Sequence, residues 1–239
     1  IRDVCLSRGL GDVYKRQLLI LGLIISLAAS WNVNATFRRY EKDSNSRGLT
    51  AAQVARQILD ENGLYQIRVE RISGKLTDHY DPSGNVIRLS DSVHDSTSVA
   101  AIGVAAHECG HAVQHEVGYF PMKIRSAVIP VTQIGSKFWY IIFLIGLVFG
   151  NSQAGQIMQM IGILLFSAIV FFQLITLPVE FDASHRAMKT LESRYILAGE
   201  ELTKARKVLT AAALTYVAAL LNAILQLLRL LNIARGNRR

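Results

Sequence analysis

A chain of 239 residues that is 51% apolar and carries a formal charge of +8 is long enough for one or two modest domains and apolar enough to suggest a membrane. Its basic residues lie beside apolar runs and in loops rather than in one aromatic-interleaved stripe, which argues against nucleic acid as a partner. Cys5 and Cys109 are its two cysteines, so neither a disulfide framework nor a four-cysteine zinc site is available. Any metal must be held by His and carboxylate.

Taken in chain order, residues 1–16 join abruptly to an apolar run and read as a non-native leader, set apart from the fold. Residues 17–36 predict the first transmembrane helix. Its run LLILGLIISLAASWNVNA contains an interfacial Trp31 and is followed by Arg38, Arg39 and Lys42, the pattern of a membrane exit. Residues 45–118 turn polar and predict a soluble subdomain. Thr50 is placed to cap a helix whose Val54, Ile58 and Leu59 share one face, with Gly63 as its stop. Alternation over Gln66 to Ile72, and the segments LTDHYD and NVIRLS around Asp81-Pro82-Ser83-Gly84, predict a small antiparallel sheet with a hairpin. Its strand from Asn85 to Ser90 is expected to offer a free edge to an extended peptide. Asp95 or Ser96 is the expected cap of the next helix, which carries VAAHECGHAVQH.

Residues 124–178 predict a transmembrane hairpin, helices 2 and 3, around the uncharged link NSQAGQ. Residues 179–207 follow as a helix and loop, with Pro178 as the expected helix start. Residues 208–231 form a fourth apolar run and residues 232–239 a basic tail. The loops after span one and between spans three and four are rich in Arg and Lys, whereas the link at Asn151 has none. Both basic loops therefore belong on the cytoplasmic side of a multi-pass protein. Arg229, Arg235, Arg238 and Arg239 oppose a simple crossing by the fourth run.

His107 and His111, four residues apart, project from one helix face and can bind one ion. Glu108 flanks that face, where a carboxylate can take a proton from a water activated by the ion. Two unpaired imidazoles would be costly in so apolar a helix. A catalytic zinc needs a third protein ligand and an open position. His115 lies in the same row, but about 12 Å along the axis from His107, too far to share the ion. Glu180, in LPVEFDASHRAM beyond the hairpin, is the expected third ligand, with Asp182 as the alternative or as a carboxylate that orients a ligating His. His185, roughly 140° round the helix from Glu180, or Arg186 is placed to reach the oxyanion of a tetrahedral intermediate. Cys109, about 200° from His107, is expected to pack rather than ligate.

The segments GLTAAQVARQILDENGLY, LTDHYDPSGNVIRLS, VAAHECGHAVQH, LPVEFDAS and VLTAAALTYVAALL resemble, in order, the YugP-like neutral zinc metallopeptidases of bacterial membranes, over nearly all of Leu18 to Leu231. A zinc helix, a transmembrane hairpin and a returning Glu-bearing helix also resemble, more distantly, the HtpX-type and prenyl-protein endopeptidases. That resemblance implies His107, His111 and Glu180 as ligands of one zinc ion and Glu108 as base. Where those relatives carry Asp four residues after the ligand Glu, this chain has Ser184. The expectation is a membrane α+β, zincin-like metalloprotease on about four transmembrane helices, in a bacterial plasma membrane with its active site on the cytoplasmic side. Its substrate would be a peptide or membrane protein. The rival reading is a non-catalytic zinc-binding scaffold or sensor, which would need both histidines but not Glu108.

Overall fold

The computed structural model describes the backbone of residues 2–236 and the side chains of residues 17–236. The side chains of the expected leader at 1–16, and residues 237–239 of the expected basic tail, lie outside that description. The elements are α1 (Arg2–Tyr40), α2 (Ala51–Glu61), β1 (Arg68–Ile72), β2 (His79–Asp81), β3 (Val86–Ser90), α3 (Val99–Glu116), α4 (Phe120–Val148), α5 (Gln153–Ser193) and α6 (Gly199–Gly236). Among the described residues four stretches are long and apolar enough to cross a membrane: Gln17–Tyr40, α4, α5 and α6. The chain divides into two compact units, one of residues 1–29, 124–176 and 216–239, the other of residues 30–123 and 177–215.

In the first unit α4 and α5 pack through small residues. A Cβ on Gly146 would fall 2.7 Å from the backbone nitrogen of Gln159, and one on Gly162 would fall 3.0 Å from the carbonyl of Trp139. Lipid tails are as apolar as Leu, so close van der Waals approach and interhelical hydrogen bonds hold such helices together. The buried Gln159 Nε2 supplies one of these bonds, donating to Gly146 O at 2.9 Å. Phe143, Phe166 and Leu230 form the buried cluster of this unit.

The second unit is built on α2, the sheet and α3. Thr50 caps α2 in a reciprocal box: its Oγ1 accepts from Gln53 N at 3.2 Å, and Gln53 Oε1 accepts from Thr50 N at 2.9 Å. Val54, Ala55, Ile58 and Leu59 on the inner face of α2 join a core with Ile102, Ala105, Ala106 and Cys109 of α3. The cap of α3 is Ser98, whose Oγ accepts from Ala101 N at 3.1 Å, rather than Asp95 or Ser96. Ser96 Oγ instead accepts from Ser98 N at 3.2 Å and so holds the cap in place.

The sheet has the order β1-β3-β2 and is mixed rather than antiparallel: β1 runs parallel to β3, and β2 antiparallel to it. The Asp81–Gly84 turn produces the expected hairpin of β2 and β3. β1 lies on the other side of β3, so β3 is central and has no free edge. The free edges belong to β1 and β2.

Pro178 does not start a helix, because α5 runs unbroken through it. Proline removes one backbone N–H, and membrane helices tolerate that loss. Glu180 therefore sits inside a continuous helix, not in a first turn.

Gly110 sets how closely α3 and α5 approach. A Cβ there would lie 2.6 Å from the carbonyl oxygen of Ala183, closer than side chains and backbone pack. Gly110→Ala should destabilise the chain by about 1–3 kcal/mol through overpacking, although alanine is favoured over glycine inside a helix by ~1 kcal/mol. Thermal unfolding in detergent should register a lower Tm and weaker zinc retention, and an unchanged Tm would contradict the close approach.

Candidate metal centre

The residues of the centre belong to the second unit. α3 presents His107 and His111 one turn apart, their rings 4.7 Å between centroids and edge to face. α5 presents Glu180, which is 1% exposed. Its Oε2 lies 3.2 Å from His107 Nε2 and 3.6 Å from His111 Nε2. One ligand atom from each of the three lies within 4.8 Å of the others. Ligand atoms bound to one tetrahedral zinc at about 2.0–2.1 Å stand roughly 3.3 Å apart, so the two His–Glu separations fit that ion. Burial works most strongly against charge on His111, but the hydrogen bond to Glu180, the charges of Glu108 and Glu180 and the bond to Gln114 together outweigh it, and the ring's pKa rises above the usual histidine value.

Both imidazoles turn Nε2 inward, and each Nδ1 has a partner behind it. Gln114, which is fully buried, places Oε1 3.0 Å from His111 Nδ1. Its Nε2 donates to Val179 O and to Asp182 Oδ2, both at 2.8 Å. A carbonyl can only accept, so the amide orientation of Gln114 is fixed and Oε1 faces the histidine. His111 must then carry its proton on Nδ1, which leaves the Nε2 lone pair for a metal. Ser184 Oγ stands 3.1 Å from His107 Nδ1 and gives the other ring its support.

Asp182 accepts from Gln114 and, at 2.6 Å, from Arg186 Nε, which places its carboxylate behind the centre rather than in it. Glu108 is 8% exposed, and its Oε2 accepts from the backbone N–H of Tyr80 in β2 at 3.0 Å. The carboxylate of the expected base is thus bound to an edge strand. His115 is exposed and meets the hydroxyl of Tyr80 at 3.3 Å. His185 is exposed on α5, and among the described residues no hydrogen bond or ion pair joins it to the centre. Cys109 packs as expected, with Sγ 3.5 Å from Ala55 O. Burial pushes its thiol pKa far above the usual range.

Three contributors escaped the sequence reading: Gln114, Tyr80 and Ser184, the last legible only as a departure from the distant relatives' Asp. Gln114 lies three residues beyond His111, a spacing that puts it on the ligand face, so its signal was present in VAAHECGHAVQH. Tyr80 acts through its backbone, which leaves no side-chain signature.

Comparison with known proteins agrees with this geometry. The family profile described as "Putative neutral zinc metallopeptidase" matches residues 16–235. The chain is 45% identical over 221 residues to the "Putative membrane protease YugP" of Bacillus subtilis (strain 168), covering 92% of this chain and 96% of that protein. No solved structure matches the chain.

Removing the support behind His111 should weaken zinc without displacing a ligand. Gln114→Ala is expected to lower zinc affinity by about 10- to 100-fold, measured by competition with a chromophoric chelator. Gln114→Glu, which keeps an acceptor facing Nδ1, should recover part of the loss.

Proposed function

This chain belongs to the neutral zinc metallopeptidase family, and from that premise we propose that it is a membrane-bound endopeptidase using Glu108 as general base. The observation that carries this reading is the convergence of His107, His111 and Glu180 on one point, with Glu108 fixed beside them by Tyr80. Three protein ligands among the described residues suit a catalytic site, because a catalytic zinc keeps a position open whereas a structural one is closed by four. When bound there, zinc would supply a Lewis acid and make water acidic near neutral pH.

The protein groups divide the remaining work. Glu108 Oε1 is not the atom held by Tyr80, so it is available to accept a proton from water and later return it to the leaving amine. The Tyr80 N–H restrains the carboxylate as its charge changes. An extended peptide added along β2 would meet the Tyr80 carbonyl on the outer edge, the Tyr80 N–H being held by Glu108. This replaces the expected edge at 85–90, which is occupied on both sides. For the oxyanion we propose His185. Arg186, the alternative, is engaged with Asp182 at 2.6 Å, whereas His185 is exposed.

The protein is a membrane protein. The multi-pass arrangement with the centre on the cytoplasmic side rests on the basic loops after α1 and between α5 and α6. Substrates are then proposed to be membrane or membrane-proximal polypeptides.

The test is a digestion assay on purified protein with casein or a membrane-protein substrate. Glu108→Gln should keep full zinc occupancy and lose about 10²- to 10⁴-fold in rate. A variant that cleaves at the wild-type rate would remove Glu108 from the chemistry. Zinc-loaded wild type that cleaves nothing would favour the scaffold or sensor reading. In parallel, Glu180→Ala should empty the site of zinc while Asp182→Ala keeps it loaded, as metal analysis would report.

A further inference from the structure

A cavity of about 540 Å³ lies within the second unit, away from the metal centre. It is formed by two facing stripes. Asn32, Thr36 and Arg39 fall at helical spacing near the end of α1, and Thr203, Arg206, Lys207, Thr210 and Leu214 do so near the start of α6. Its volume is in the range of small-molecule sites, about 300–1,000 Å³.

The lining is graded. Arg39 is near the last turn of the apolar stretch Gln17–Tyr40, and Arg206 and Lys207 directly precede the apolar run of α6. The hydroxyls of Thr36 and Thr210 come next, and Asn32 of α1 and Leu214 of α6 line the far end. Nearby acids are engaged elsewhere: Asp43 pairs with Lys204 at 2.8 Å, and Glu201 accepts from Ser46 N at 2.7 Å. Glu41 and Glu200, at the same helix ends, do not line the cavity. Among the described residues neither Arg39, Arg206 nor Lys207 has an ion-pair partner, and Arg39 makes only a cation–π contact with Tyr40, 5.7 Å to the ring centroid.

Three cations without counter-charges, a hydroxyl collar and an end that opens along two apolar helices match an amphiphile with an anionic head. We propose that this groove binds the phosphodiester head group of one anionic phospholipid, its phosphate against Arg39, Arg206 and Lys207 and its acyl chains leaving past Leu214. A choline head would add a cation where three already stand, so zwitterionic lipid is disfavoured. The centre at His107, His111 and Glu180 shares no residue with the groove, so this assignment is independent of the proteolytic reading.

Native mass spectrometry of the full-length, detergent-purified protein provides the test, with phosphatidylglycerol and phosphatidylcholine added at equal concentration. Wild type should retain one phosphatidylglycerol in preference to phosphatidylcholine. Arg39→Gln/Arg206→Gln/Lys207→Gln should reduce that retention about a hundredfold, roughly fivefold for each cation removed. Arg38→Gln/Lys42→Gln, which removes charge from the same end of α1 but not from the groove, should leave it unchanged. Equal retention of the two lipids, or equal losses in the two variants, would overturn the proposal. Displacement of the lipid by millimolar inorganic phosphate would reassign the groove to free anions. If the triple variant loses its Tm, Arg206→Gln alone decides: a roughly fivefold loss supports the site, and none rejects it.

Discussion

The backbone contact between α3 and α5 at Gly110 is the constraint on which the centre depends. Two candidate ligands and the proposed base come from one helix and the third candidate ligand from another, and a zinc bond of about 2 Å tolerates little error in their separation. Any side chain at position 110 would hold the helices apart, because its first carbon would meet the Ala183 carbonyl at 2.6 Å. Ala183 lies between Asp182 and Ser184, which supports one ligand, and three residues beyond Glu180, which is another. The glycine thus brings both the ligand and its supporting groups into range. A helix-interior glycine is unfavourable by about 1 kcal/mol relative to alanine, and the close approach explains why one stands inside the metal motif.

Gln114 completes that junction from the α3 side. Its carboxamide reaches His111 with the oxygen and the Val179 carbonyl with the nitrogen. A single buried side chain therefore sets the tautomer of one ligand and binds the helix that supplies another. Asp182 shares the same nitrogen and holds Arg186, so the network continues along α5 without entering the metal position. A buried polar network of this kind rigidifies when every member is satisfied.

What the sequence disclosed follows from how local each signal was. His107, Glu108 and His111 lie within five residues of one helix, and helical periodicity is enough to place them on a shared face. Glu180 was legible from topology, because a hairpin returns the chain to the side it left. Its setting was not. Pro178 reads as a helix boundary by the rules of soluble proteins, whereas α5 continues through it. The hairpin of β2 and β3 was carried by a turn, but the parallel pairing of β1 with β3 joins segments with no turn between them. Strand order of that kind is fixed by packing against α2 and α3, and adjacent residues do not encode it. The free edge at Tyr80 followed from that order and was missed with it.

The supports behind the two histidines also bear on the chemistry the centre can perform. Ser184 and Gln114 are both neutral, where a carboxylate would draw the imidazole proton towards itself and make the ring a more basic ligand. Neutral supports leave the ligands less electron-rich, so an ion held by them keeps more of its Lewis acidity and is held less tightly. Rigidity rather than charge behind the histidines would offset that weaker grip. Gln114 cannot rotate without abandoning Val179 and Asp182, and Glu180 is fixed in the interior of a long helix rather than at a frayed end. Among the described residues, the carboxylate beside the candidate ligands that is not committed to holding one of them or its support is Glu108. Its restraint comes from the backbone of β2, the strand along which a substrate would lie. In the proposed mechanism, alignment of the peptide and orientation of the base would thereby depend on the same three-residue edge.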